Sequence, residues 1–302
     1  MRILAANDSL TTEHTALALG FFDGVHLGHQ AVIRAAVDRS TGEVTPAVFT
    51  FGVSAGAPGA KLSVGLVQSP ALRTEAMRAM GVKYLYWPEF EGIRGMSAEA
   101  FVKDIIIGRL RARVVCCGAD FRFGKGARGD IDTLRLLLEP AGAKVHVVPD
   151  VLVDGKPVSS TRIREAVMAG DMDTAARLLG RPFAIDFVVE QGRHLGRTLG
   201  LPTANQRFDA LIVQPRFGVY ATRVTIGDKS YPAVSNVGVK PTVGSDGVLC
   251  ESYIHGFSGD IYGERIVTEF IHFLRPERRF DSVEELKAAI ERDAEQVLTL
   301  VD

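Results

Sequence analysis

The chain has 302 residues, 46% of them hydrophobic, with 35 Lys and Arg against 36 Asp and Glu and a formal net charge of −1. That length exceeds one typical domain, and the apolar share supplies a core for each of two. The near balance of charge excludes a globally basic nucleic-acid-binding protein, and no apolar run approaches the length of a membrane span.

The amino terminus reaches Asn7 and Asp8 before any long apolar run, so it does not read as a secretory leader, and a cytoplasmic location is expected. Strand and helix patterns then alternate. A strand at Thr15–Leu19 precedes a helix at about Gly28–Asp38, and a strand at Pro46–Phe51 precedes a helix at about Pro70–Met80. A short strand, Lys83–Tyr86, leads to a helix over about Ala98–Leu110; the apolar run Arg113–Cys117, a helix near Ile131–Leu138 and the strand Lys144–Val148 follow. Two short helices, about Thr161–Ala169 and Asp171–Leu179, close this part before Gly180-Arg181-Pro182. Continuous apolar strands joined by helices predict a doubly wound parallel sheet with ligands at the carboxyl ends of its strands. The three cysteines, two of them adjacent at Cys116 and Cys117, have neither disulfide nor zinc spacing and read as core residues.

After Pro182 the texture changes to short strand-like runs, Phe187–Val189, Gly218–Thr225, Tyr231–Val237 and Ile266–Phe273, broken by Gly, Pro and Asp. A small antiparallel barrel fits them. Ser282 and Glu285 form a Ser-x-x-Glu capping box for one terminal amphipathic helix reaching about Leu298. The expected domains are therefore residues 1–182 and 183–302. The Gly- and Ala-rich stretch from Gly52 to Ala60 reads as a mobile loop.

The first chemical signal is Gly20-Phe21-Phe-Asp23-Gly24-Val-His26-Leu-Gly28-His29, between the first strand and the first helix. Gly20 and Gly24 allow a turn that a Cβ would hinder, and Gly28 lets a ligand approach the backbone. His26 and His29, three apart, can share one face of the first turn, where free N–H groups and the helix dipole favour an anion. A lone His-x-x-His carries little; its strand-to-helix context points to polyphosphate. A second motif, Gly118-Ala-Asp120-Phe-Arg-Phe-Gly124 with Gly126 and Gly129 beyond, follows another strand; Asp120 either orients a nucleotide or caps a turn. A third is Ser159-Ser160-Thr161-Arg162-Ile-Arg164. Its hydroxyls either cap a helix or join an arginine in a phosphate cradle. Arg162 and Arg164 are about 200° apart on a helix, so one face cannot present both.

These three motifs resemble, in order and context, the His-x-Gly-His family of nucleotidylyltransferases, and in particular the FMN adenylyltransferase module of bacterial bifunctional riboflavin kinase/FAD synthetases. The resemblance spans about residues 14–183. It selects Arg164 through the pattern Ser-Ser-Thr-x-x-Arg and implies that FMN phosphate attacks the α-phosphorus of ATP, with pyrophosphate leaving. It assigns ATP binding to Gly20, Phe21, Asp23, Gly24, His26, Gly28, His29, Asp120, Ser159, Ser160, Thr161 and Arg164, with His26, His29 and Arg164 as catalytic residues.

Downstream, Gly192-Arg-His-Leu-Gly196-Arg197-Thr-Leu-Gly200-Leu-Pro202-Thr203-Ala-Asn205 is a glycine-punctuated loop running into Pro-Thr-Ala-Asn. Alone, Pro-Thr-Ala-Asn is more often an ordinary turn. Behind a loop whose N–H groups can face phosphates, the Thr203 hydroxyl is a hard oxygen ligand suited to Mg²⁺, and Asn205 can add a carbonyl oxygen or bind the reacting hydroxyl. This resembles the ATP loop and metal motif of riboflavin kinase, a resemblance covering about residues 183–302. It assigns Gly192, Gly196, Arg197, Gly200, Pro202, Thr203 and Asn205 to ATP, with Thr203 and Asn205 also holding the metal. The segment from Glu251 through Tyr262-Gly263 resembles the one carrying the family's catalytic glutamate, which makes Glu251 the implied base. Leu274-Arg275-Pro-Glu277-Arg-Arg279-Phe280 is like the family's Leu-Arg-x-Glu-x-Lys-Phe with arginine for lysine; Arg275 and Phe280 either line the flavin site with Glu251 or belong to a solvated charge cluster.

The resemblance thus implies conversion of riboflavin to FMN and of FMN to FAD, with ATP as co-substrate and Mg²⁺ as cofactor. The expected partners are riboflavin, FMN and ATP, with no nucleic acid and no membrane, and with self-association as a homo-oligomer left open. One departure stands out. Relatives follow the second strand with a Phe-x-Pro-x-Pro-like turn that shapes the flavin pocket, whereas here Phe49-Thr50-Phe51 runs into Gly52-Val-Ser-Ala-Gly-Ala-Pro58. Proline fixes φ and Gly does not, so the expectation is a raised KM for FMN. A kinase with a weak or altered transferase half is the second reading, and a flavin- or nucleotide-binding regulator without turnover the last.

Overall fold

The computed structural model describes residues 1–5, 8–10, 13–52, 65–191, 203–239 and 247–301. It divides into two compact units, Met1–Pro58 with Arg73–Val158, and Gly59–Leu72 with Ser159–Asp302.

In the first unit the described strands are β1 (Arg2–Leu4), β2 (His14–Leu19), β3 (Val44–Phe49), β4 (Tyr84–Tyr86), β5 (Ala112–Gly118) and β6 (Lys144–Val148). They form one sheet in the order β1-β4-β3-β2-β5-β6, parallel at every pairing. Alternation along β2 explains why both faces are covered. Ala16 and Ala18 enter one apolar cluster with Ile33 of α1 (Leu27–Val37) and Met77 of α2 (Pro70–Ala79). Leu17 and Leu19 enter another with Phe101 and Leu134. The switch in strand order falls between β2 and β5, the position at which open α/β sheets take their ligands.

The sequence pattern locates β2 to β6 to within about two residues, the usual boundary scatter, and passes over β1, which is too short to show a period. The helix expected over Ala98–Leu110 begins, after the short α3 (Phe90–Ile93), as α4 (Ala98–Ala100) and continues as a π-helix, Phe101–Arg109. Gly108 permits the wider turn, since a Cβ there would lie 2.9 Å from the Lys103 carbonyl. The unit also contains α5 (Ile131–Leu138) and the hairpin β7 (Leu152–Val153) and β8 (Lys156–Pro157).

The second unit contains α6 (Ser160–Ala169), α7 (Met172–Leu179) and the strands β9 (Phe183–Ile185), β10 (Val189–Glu190), β11 (Thr203–Arg207), β12 (Gly218–Ile226), β13 (Lys229–Val239), β14 (Val248–Ile254) and β15 (Val267–Arg275). The described strands form an antiparallel sheet in the order β10-β11-β14-β13-β12-β15-β9. Its two edge strands, β9 and β10, are separated in the chain only by residues 186–188, so the sheet must curl back on itself into the expected barrel-like form. At the seam, Asp186 is buried and its carboxyl is pushed above the usual range, first by that burial. Arg265 donates to its backbone carbonyl and lies 3.5 Å from its carboxylate. The Gln206 amide donates to the Phe187 carbonyl at 2.9 Å.

One face of this sheet carries a buried polar chain. Thr222, Ser235 and Ser252 hydroxyls meet at 2.7 Å each, and the Thr268 hydroxyl donates to Gln206 Oε1 at 2.6 Å. Buried polar groups require such partners. Ala294 and Val297 of α8 (Val283–Leu300), with Val301 just beyond it, pack with Val219, Ala221 and Val234. The predicted capping box is present at the Ser282 hydroxyl, which accepts from Glu285 N–H at 3.1 Å, but the Glu285 carboxylate accepts from Asp281 N–H rather than from Ser282. α7 buries Met172, Ala175, Leu178 and Leu179 and packs on β15 and β9. Packing therefore groups α6 and α7 with the barrel strands, whereas their chain position suggests the parallel sheet.

Candidate active sites

The turn between β2 and α1 is strained. Phe22, Gly24 and Val25 have φ of +54°, +86° and +40°, a region unfavourable for the aromatic and worse for the β-branched residue. Both Phe22 and Val25 are buried in the apolar cluster, and that burial offsets the strain. The turn sets His26 as N-cap of α1, with its Nδ1 accepting from the His29 N–H at 3.3 Å, so that Nε2 carries the ring proton. The two imidazoles stack, centroids 3.5 Å apart at 16°. A Cβ on Gly28 would stand 3.2 Å from the His26 ring, and one on Gly20 would strike the Phe22 ring. Asp23 is buried in the same turn.

At the neighbouring switch-point strand, Gly118 leaves room for the Asp120 carboxylate, 3.2 Å from where a Cβ would stand, and Asp120 is exposed. The glycines beyond shape their own loop: Phe123 and Gly129 exchange backbone hydrogen bonds of 3.1 and 2.9 Å, and the Phe123 ring fills the space a side chain on Gly129 would need.

In the second unit the Ser159 hydroxyl caps α6 by accepting from Arg162 N–H at 3.3 Å. Ser160 and Thr161 open that helix, Thr161 exposed. Arg164 is buried, and its Nε donates to the Gly65 carbonyl at 2.6 Å.

Three adjacent strands build the other site. Asn205 on β11 and Asn236 on β13 stand directly across from Glu251 on β14, and Thr203 stands across from Tyr253. The Thr203 hydroxyl donates to Glu251 Oε1 at 2.9 Å. Its proton is thus directed at the carboxylate while its lone pairs stay available to a cation, which is the arrangement a hard divalent ion requires. Among the described residues no group of three or more His, Cys, Asp or Glu is placed to hold a metal ion. Gly192, Gly196, Arg197, Gly200 and Pro202 lie outside the described residues, as do residues 53–60 of the Gly/Ala-rich stretch.

Arg275 is occupied elsewhere. Its Nη2 lies 2.7 Å and its Nε 3.2 Å from the Asp293 carboxylate of α8, a largely buried pair. The Phe280 ring lies under the Arg278 guanidinium at 4.6 Å and further, at 5.8 Å, from that of Arg275. Glu277 accepts from Asn236 Nδ2 at 2.9 Å, and its carboxylate occupies the space that a Cβ on Gly238 would need. Sequence reasoning missed Asn236 as a neighbour of Glu251, since an Asn on a strand gives no signal until its cross-strand partner is known. It also missed Arg73, buried on α2. That guanidinium lies 3.8 Å over the Trp87 ring, and burial lowers its pKa to about 10 against the opposing pull of Asp23.

A parallel sheet with a histidine-capped helix at its switch point, joined to an antiparallel barrel with a Thr-Asn-Glu row, defines a two-domain nucleotide-using transferase. The riboflavin kinase family model matches residues 179–301 and the FAD synthetase model residues 8–162. The chain is 36% identical to the bifunctional riboflavin kinase/FMN adenylyltransferase of Pseudomonas fluorescens, over 97% of this chain and 96% of that one. It is 34% identical to the Escherichia coli K12 protein of the same name, over 93% and 91%. A solved structure called a macrolide-efflux protein, from Streptococcus pneumoniae, superposes with a TM-score of 0.85 at 30% identity, covering 97% of this chain and 96% of that one. Among the described residues no helix is long and apolar enough to cross a membrane. The chain belongs to the bifunctional riboflavin kinase/FMN adenylyltransferase family.

Proposed function

We propose that residues 183–302 phosphorylate riboflavin to FMN and residues 1–182 transfer the adenylyl group of ATP to FMN, giving FAD and pyrophosphate, in the cytoplasm. The observation that carries the kinase reading is the Thr203–Glu251 hydrogen bond, with Asn205 directly across from the carboxylate. Glu251 takes the proton of the ribityl 5′-hydroxyl as that oxygen attacks the γ-phosphorus of ATP, and ADP leaves. Thr203 orients the carboxylate, and Asn205 holds the acceptor hydroxyl or an ion. Mg²⁺ held with Thr203 and Asn205 would offset phosphate charge. In the other half no protein nucleophile is needed: a phosphate oxygen of FMN attacks the α-phosphorus, the bond to pyrophosphate breaks, and His26, His29 and Arg164 stabilise the charge that builds up.

The protein, incubated with riboflavin, ATP and Mg²⁺, is expected to yield FMN first and FAD later. Because Gly, Ser and Ala stand where prolines would stiffen the flavin wall, FMN should build up before FAD, through a raised KM for FMN with ATP binding unaffected. Prompt FAD with no FMN pool at micromolar flavin would remove this loop from the argument, and an absence of both products would remove the assignment.

A fragment beginning at Arg181 is expected to fold and phosphorylate riboflavin. One beginning at Ser159 should melt several degrees higher, because α7 keeps four buried apolar residues over β9 and β15 and each large one contributes roughly 1.5–3 kcal/mol. Equal melting temperatures would show that α7 adds nothing to the barrel.

A further inference from the structure

Arg73 has no part in the chemistry described so far, yet it is spent on the adenylyltransferase unit in an unusual way. It is 3% exposed, and the pull of the Asp23 carboxylate on its charge does not offset its burial. Its two Nη atoms hold two backbone carbonyls from separate loops. One Nη donates to Phe21 O at 3.1 Å, just past the end of β2, and the other to Phe51 O at 3.4 Å, just past the end of β3. The guanidinium carbon lies 3.8 Å from the Trp87 ring centroid and 5.3 Å from that of Phe21. The two clamped residues stack on each other at 4.9 Å and 23°, and Phe51 continues to Phe90 at 5.0 Å. A second donor reinforces one carbonyl, the Thr50 hydroxyl at 2.8 Å from Phe21 O.

We infer that Arg73 is a positioning residue for the acceptor side of the adenylyltransferase site, locking the exits of β2 and β3 together so that Phe51, braced by its stack on Phe21, presents a fixed edge to the flavin substrate. The inference rests on the function proposed above. The switch point between β2 and β5 is the nucleotide side, which leaves the β2–β3 side for the acceptor. A planar fork that donates in two directions while stacking on an indole suits this task, and a lysine ammonium cannot reproduce it.

The test uses the full chain. FMN adenylylation is measured with FMN and ATP varied separately, and riboflavin phosphorylation is measured on the same preparations. Arg73→Lys is expected to raise the KM for FMN about tenfold, the value of one charge-assisted hydrogen bond, with kcat and the KM for ATP within about threefold. Phosphorylation should be unchanged. Thr50→Val, which removes the second donor to Phe21 O without changing shape, should move the same constant in the same direction by less. A role in stability alone would lower the melting temperature and the active fraction, hence the apparent kcat, and leave the KM for FMN where it was; that result overturns the inference. Should Arg73→Lys fail to fold, Thr50→Val decides, a wild-type KM for FMN counting against. Failure of the unaltered chain to make FAD would instead overturn the underlying functional reading.

Discussion

Replacing Glu251 by Gln is expected to abolish FMN formation while FAD formation from supplied FMN continues at the wild-type rate. Glutamine keeps the shape and still offers an amide oxygen to the Thr203 hydroxyl, which the carboxylate now accepts at 2.9 Å. It cannot take a proton. Loss of a general base typically costs about 10²–10⁴-fold, so phosphorylation should fall by at least two orders of magnitude. Undiminished phosphorylation by this variant would exclude Glu251 as the base.

The complementary experiment is His29→Ala, for which FAD formation should drop roughly 10²-fold, the scale of losing one donor to a transition-state oxygen, while riboflavin phosphorylation is spared. His29 is the cleaner target of the stacked pair. Its contribution to the cap of α1 is its backbone N–H, which alanine retains, whereas His26 supplies the accepting ring nitrogen and its removal would cost about 1 kcal/mol of helix stability as well. Loss of both activities in a folded His29→Ala protein would argue that one site serves both reactions, and unchanged FAD formation would remove the imidazole from catalysis.

The parallel sheet was legible because its strands are unbroken apolar runs, and α1 because it follows one of them with glycines and a histidine cap. The barrel was harder to read. Gln206, Thr222, Ser235, Ser252 and Thr268 are buried polar residues on its strands, hydrogen-bonded to one another, to backbone and to Cys250, and they erase the alternation that marks a half-buried strand. β9 and β10 are too short to show any period. At the candidate sites, the residues singled out on local motifs lie side by side: the His26 and His29 rings stack, and Thr203 donates to Glu251 with Asn205 directly across from it. Residues that enter through tertiary contact carry no such motif. Arg73 looks like any helical arginine until Trp87 lies beneath it, and Asp293 gives no signal until α8 brings it to Arg275.

The seam of the barrel bears on how the chain acquires its fold. β9 pairs with residues 268–270 of β15, whereas β10, only a short bend later, pairs with residues 205–206 of β11. The segment that opens the second unit therefore waits for the last strand, across about 85 intervening residues, before one of its edges is satisfied. Such long-range closure is slow, because the entropy of the whole loop is lost before the pairing repays it. On the ribosome the parallel sheet, complete by Val148, is free to form while the barrel is still an open ribbon, and Ile185 must sit exposed until Thr268 has been made. Polypeptides ending between Ile254 and Val267 would keep two unpaired strand edges, making incomplete chains of that length the ones most in need of a chaperone.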